Sequence, residues 1–203
     1  MKFFGLAPSS VPGSGAPAES KAPGLPFSIV YGSVSFGAVS LLAYSIWAFR
    51  LVPGAGAMYA TTALVYIGLS GLALSRLVAQ PGAWKRFPAC FALVFLVYAV
   101  CWCAFWFGLK GKYRADLYGA LAGLLAMTWL LQRAFGSQGG TFRLFSVLFA
   151  LHSVGYYLGG ELYALVGKSA GQLLWGAAHG LGFGAGLGYV LYHCQNRPSP
   201  QSP

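Results

Sequence analysis

Apolar positions fall into six long runs, each near the roughly 20 residues a helix needs to cross a hydrocarbon core about 30 Å thick. The runs cover residues 27–49, 58–79, 87–109, 115–134, 142–166 and 170–193. Each is continuous, without the period-two alternation of a lipid-facing barrel strand. The breaks are short: Arg50 with Pro53-Gly54, then Gln80-Pro81-Gly82, then Lys110-Gly111-Lys112, then Gly136-Ser137-Gln138-Gly139-Gly140. Connections this short force neighbouring helices to lie antiparallel. The pattern therefore predicts an all-α integral membrane protein, with six transmembrane helices in one antiparallel bundle over residues 27–194. Residues 1–26, rich in Pro, Gly, Ser and Ala, read as a flexible tail, and 195–203 as a polar C-terminal tail.

Composition agrees with this pattern. Of 203 residues 57% are hydrophobic and 8% charged, where a soluble domain carries about 25% charged residues. Mean hydropathy is +0.64. So few charges cannot cover a water-facing globule, and lipid must face much of the surface. An aromatic content of 16% excludes a disordered chain. No stretch remains for a soluble domain.

The net charge of +10 would suggest nucleic acid in a soluble domain. Here the cations are scattered through the loops without a stripe of basic and aromatic residues, so nucleic-acid binding is set aside. They read instead as contacts to lipid headgroups that fix orientation. Most of the Lys and Arg fall on the side of the N-terminus, the second and fourth loops and the C-terminus, which favours both termini in the cytoplasm. The Lys110/Lys112/Arg114 cluster pulls the other way. The apolar piece Phe3-Phe4-Gly5-Leu6-Ala7 is shorter than the roughly 7–15 residues of a signal-peptide core, so the first hydrophobic helix is expected to direct insertion. Helices one to three and four to six share no motif of the kind an inverted repeat would leave.

His152 and His179 are the sharpest chemical candidates. They sit about ten and nine residues into the fifth and sixth runs, each about 15 Å deep at ~1.5 Å per residue. Entering from opposite sides, both imidazoles should approach the midplane. An ionisable group at that depth is costly and marks function by default. Gly155, Tyr156 and Gly159 share the face of His152, and Gln172, Trp175, Gly176, Gly182, Phe183 and Gly186 that of His179. The small neighbours leave room for a flat group, so the pair suggests axial ligands of haem b or of a transition metal. The plainer alternative is two buried histidines bonded across a helix seam. His193 falls at the inner interface, where water can satisfy it.

Gly176, Gly180, Gly184 and Gly188 recur every fourth residue, with Gly182 and Gly186 as an offset pair. Small residues at that spacing let membrane helices approach closely, within the bundle or in a homo-oligomer. Ser33, Gly37, Ser40 and Tyr44 form a similar stripe on the first helix, suited to interhelical hydrogen bonds, with no base nearby to make a serine nucleophilic.

Glu161 lies inside the apolar fifth run and is a possible proton or substrate site, or an ion-pair partner of Lys168. Asp116 suits the start of a helix, where the dipole favours a carboxylate, and Glu19 belongs to the tail. Cys101 and Cys103 point about 200° apart on a helix, while Cys90 and Cys194 fall near the inner face, so four free thiols are expected. Trp102, Phe105, Trp106 and Phe107 suit aromatic packing or the wall of a pocket. Three functions follow: a non-enzymatic bundle holding a hydrophobic ligand or partner, or serving as an accessory subunit of a membrane complex; a haem-b or metal protein; and an intramembrane lipid-acting enzyme using the histidines with Asp116 or Glu161. Zinc-dependent membrane hydrolases are similar in size but supply three histidines with an Asp and a Ser, and His193 lies about 21 Å along the axis from His179. The first function is the expectation.

Overall fold

The computed structural model describes Leu6 and residues 22–196. Most of the two expected tails, with Glu19, lies outside the described residues. Six helices follow one another: α1 (Leu25–Ala48), α2 (Ala55–Leu74) with a 3-10 turn (Ser75–Leu77), α3 (Ala83–Gly108), α4 (Ala115–Ala134), α5 (Thr141–Val166) and α6 (Lys168–Gln195). No strand occurs among the described residues. α2 tightens into its 3-10 turn ahead of Gln80-Pro81-Gly82, short of the expected end. α3 begins four residues before its apolar run, since Trp84, Lys85 and Arg86 continue the helix with their side chains exposed. α5 and α6 are joined by Gly167 alone, at φ 65°. A Cβ disfavours that left-handed backbone, so glycine suits this one-residue reversal.

Each helix packs against the next in sequence, and α6 returns to α1 to close a ring. The pairing is antiparallel. Tyr31 and Ser40 of α1 bond Ala73 and Tyr66 of α2, and Asp116 at the start of α4 meets Tyr157 late in α5. At the end holding the α1 N-terminus the ring is filled by inaccessible side chains, among them Phe87, Phe91, Leu124, Met127, Leu131, Leu144 and Leu191. Gln195 ties the end of α6 there, accepting from the Ala79 N–H and donating to the Leu77 carbonyl, both at 2.9 Å.

α6 is wedged between α1 and α5 with almost no side chain between the backbones. A Cβ on Gly188 would strike the Ser28 carbonyl and one on Gly184 the Gly32 carbonyl; one on Gly176 would lie 2.6 Å from the Tyr44 side chain. Gly180 faces Ser40 and Gly37. On the other flank, a Cβ on Gly182 would strike the Leu151 carbonyl, and one on Gly155 would lie 2.5 Å from the Ala178 carbonyl. The serine stripe of α1 completes the first seam: Ser33 donates to the Leu181 carbonyl at 2.9 Å and Ser40 to the Gly176 carbonyl at 2.7 Å.

The outer surface is apolar on every helix, with Val30 and Val34, Leu64, Val100, Leu121, Val154 and Leu181 exposed. Three helices are long and apolar enough to cross a membrane: Leu25–Ala48, Ala55–Leu77 and Ala83–Gly108. The glycine, histidine and hydroxyl residues of the others dilute their hydropathy. In α6 most of these residues are buried, the glycines against α1 and α5.

Candidate functional site

The glycine seams bring the two histidines together. With Gly155 against Ala178 and Gly182, the midpoints of α5 and α6 approach closely, and the rings of His152 and His179 meet edge to face at 4.8 Å between centroids. Both side chains are buried, with Phe183 against each ring. His152 Nε2 lies 2.9 Å from the Tyr98 hydroxyl of α3, and His179 Nδ1 lies 3.4 Å from the Tyr44 hydroxyl of α1. The second nitrogen of each ring, Nδ1 of His152 and Nε2 of His179, is buried without a hydrogen-bond partner in the protein.

His179 forms part of the wall of a cavity of about 370 Å³, in the half of the ring away from the packed core. α1 supplies Ala43, Tyr44 and Trp47; α2 Met58, Tyr59, Thr62, Ala63 and Tyr66; α3 Phe95, Tyr98, Ala99, Trp102, Cys103 and Trp106; α5 Tyr156; and α6 Trp175, His179 and Phe183. The wall is mostly aromatic. Tyr66 is anchored 2.6 Å from Ser40 Oγ; because Ser40 spends its one proton on the Gly176 carbonyl, Tyr66 is the donor. Trp175 Nε1, also buried, has no partner in the protein. The half of α2 that borders the cavity, residues 55–65, contains no buried residue.

A second, far smaller cavity of about 10 Å³ lies on the other side of His152, lined by Trp102, Asp116, Leu117, Ala120, His152, Ser153, Tyr156 and Tyr157. Asp116 Oδ2 accepts from the Tyr157 hydroxyl at 3.0 Å, and Arg114 stands 3.9 Å from the other oxygen while lying over the Tyr157 ring. Ser153 Oγ is buried and unpartnered.

Among the described residues, the acid that shares a cavity lining with a histidine is thus Asp116, with His152. Glu161 is exposed, lines neither cavity, and forms no ion pair with Lys168 among the described residues. Sequence reasoning put more weight on Glu161 because it interrupts an apolar run; Asp116 stood out as a helix-start carboxylate and, beside the histidines, only as an alternative to Glu161. The tyrosines at 44, 66 and 98 were also missed as a set. Trp102 and Trp106 do line the cavity, whereas Phe105 and Phe107 point outward.

A haem held by both histidines needs nitrogens about 4 Å apart across its plane, from metal–nitrogen bonds of about 2 Å. The rings here touch each other and His152 Nε2 is engaged by Tyr98, so no macrocycle fits between them as they stand. Among the described residues no three His, Cys, Asp or Glu side chains cluster to hold a metal ion. Among the described residues no cysteine forms a disulfide, and Cys90 and Cys194 are buried. Ser33 and Ser40 both donate to α6 carbonyls, which leaves neither with a histidine as base. No family model, no curated protein and no solved structure matches the chain.

Proposed function

We propose that the protein crosses a bilayer six times, with both termini in the cytoplasm, and that its aromatic cavity holds an apolar molecule carrying a hydrogen-bonding group. The cavity itself carries this reading. Its volume of about 370 Å³ falls within the ~300–1,000 Å³ usual for small-molecule sites. Its wall is aromatic, and Trp175 and His179 each bring a buried ring nitrogen without a partner. A buried polar atom left unbonded costs about 1–3 kcal/mol, so a ligand whose entry turns either ring to bond its nitrogen recovers that energy on top of apolar burial.

Six spans are supported by the outer surface. α4, α5 and α6 have 20, 26 and 28 residues, about 30 Å or more at ~1.5 Å per residue, and they expose Leu121, Trp129, Val154, Leu158 and Leu181. The glycine ridges of α6 then act as membrane helix seams, in which close backbone approach replaces the hydrophobic drive absent in lipid. This rigid α1–α6–α5 layer forms the back of the cavity, and the loosely covered first half of α2 closes its front.

The test is to identify by mass spectrometry the apolar molecules that copurify with the protein, beside Ala99→Phe, which fills the cavity. An apolar species retained by the wild type in near-equal amount and lost from the variant supports the reading. Equal retention by both, or none beyond bulk lipid in either, contradicts it.

A further inference from the structure

We propose that the small cavity beside His152 holds one water that completes a proton relay from the aromatic cavity to Asp116. The relay runs through Tyr98, His152 and the water, and it rests on the aromatic cavity being a binding site. The ligand it serves is an apolar molecule with an exchangeable O–H or N–H proton, such as a phenol.

Three observations meet here. His152 is buried and links the two cavities through Tyr98: Nε2 is bonded to Tyr98, a residue of the aromatic wall, and His152 lines the small cavity, with Nδ1 unpartnered. The small cavity, about 10 Å³, is close to the 10–15 Å³ or so that one water needs. Three of the residues lining it can supply the two to four polar partners such a water needs: Asp116, Ser153 and His152, of which Ser153 Oγ and His152 Nδ1 are buried without a partner in the protein. Asp116 leads outward, since Tyr157 donates to it and the exposed Arg114 stands beside it.

At rest the Tyr98 O–H donates to Nε2, the Nδ1–H donates to the water, and the water donates to the Asp116 carboxylate. A ligand proton passes to the Tyr98 oxygen as the Tyr98 proton moves to Nε2. The Nδ1 proton moves to the water, and a water proton moves to Asp116. The ligand loses one proton and Asp116 gains one. Tyr98 and the water return to their starting composition, and His152 exchanges one neutral tautomer for the other. The other titratable groups around His152 are His179 and Tyr156; Tyr157 and Arg114 face Asp116.

β-Naphthol, an apolar photoacid, tests the relay in the full-length protein in lipid nanodiscs. Binding is measured by equilibrium dialysis against protein-free nanodiscs, and proton loss by naphtholate emission of the bound dye. Wild-type protein is expected to give naphtholate emission. Asp116→Asn and Ser153→Ala should bind the dye equally and emit from the neutral form, as in lipid alone. Naphtholate emission undiminished in both variants overturns the relay, as does neutral emission from dye bound to the wild type. Failure of the dye to bind beyond the protein-free level overturns the binding site, and the relay with it.

Discussion

The imidazoles of His152 and His179 meet edge to face, centroids 4.8 Å apart, although they lie on helices that enter the bundle from opposite ends. Each is held from a third helix, His152 by Tyr98 of α3 and His179 by Tyr44 of α1. The pair thus ties four helices together around one point. His152→Ala leaves the buried Tyr98 hydroxyl without its partner, and a loss of about 1–3 kcal/mol is expected. Tyr98→Phe should cost a comparable amount, and the double variant less than the sum of the two. Thermal unfolding of all three in one detergent measures this; strict additivity would show that the bond contributes nothing.

Glycines on the same protein should respond in opposite ways. Gly188→Ala drives a methyl into the Ser28 carbonyl, with backbone rather than a flexible side chain in the way. Overpacking of this kind costs about 1–3 kcal/mol. Gly68→Ala meets nothing within 4 Å and should leave stability unchanged or slightly raised, because alanine favours the helix. Comparing the two melting temperatures checks the seam.

Six spans make a simple prediction about sidedness. Single cysteines at Arg50, Lys112 and Lys168, introduced after replacement of the four native cysteines, should react with a membrane-impermeant thiol reagent from one side of sealed vesicles. Cysteines at Gly82 and Gln138 should react only from the other side. With both termini cytoplasmic, Arg50, Lys112 and Lys168 face outward. A Lys112 cysteine that reacts from the Gly82 side would mean that fewer helices cross.

Much of the architecture was legible from the pattern of apolar positions, including six helices and their approximate bounds. The meeting of His152 with His179 was also legible, because depth and helix direction are both countable along a chain. Hydropathy marks α1, α2 and α3 as long and apolar enough to cross a membrane; the hydropathy of α4, α5 and α6 is lowered by glycines and polar residues, many of them buried. The periodicity of α6 showed two offset glycine rows, but not that Gly176, Gly180, Gly184 and Gly188 face α1 while Gly182 and Gly186 face α5. Helix-face reasoning orders residues within one helix and is blind across helices. The cavity escaped it for that reason, being assembled from aromatics on five helices that individually resemble packing residues. The place of Asp116 on the small cavity beside His152 escaped it too, since that cavity is lined from α3, α4 and α5 together.

Trp175 separates shape from hydrogen bonding in the cavity. Trp175→Phe keeps an aromatic wall and removes the Nε1 donor. For β-naphthol, whose oxygen can accept from it, loss of one neutral hydrogen bond worth about 0.5–1.5 kcal/mol should weaken binding roughly 2- to 10-fold. A purely apolar dye such as pyrene should bind both proteins alike. Isothermal titration in nanodiscs checks both, and equal weakening of the two dyes would mean that the substitution merely distorts the wall.

The central claim, an occupied aromatic cavity within the bundle, is tested most directly by fluorescence of N-phenylnaphthylamine. The dye is titrated into nanodiscs carrying wild-type protein, Ala99→Phe, Ala63→Phe or no protein. The account predicts saturable binding near one dye per wild-type chain, lost in both cavity-filling variants while their melting temperatures hold. Non-saturable uptake equal to that of protein-free nanodiscs, or saturable binding unchanged in both variants, would contradict it.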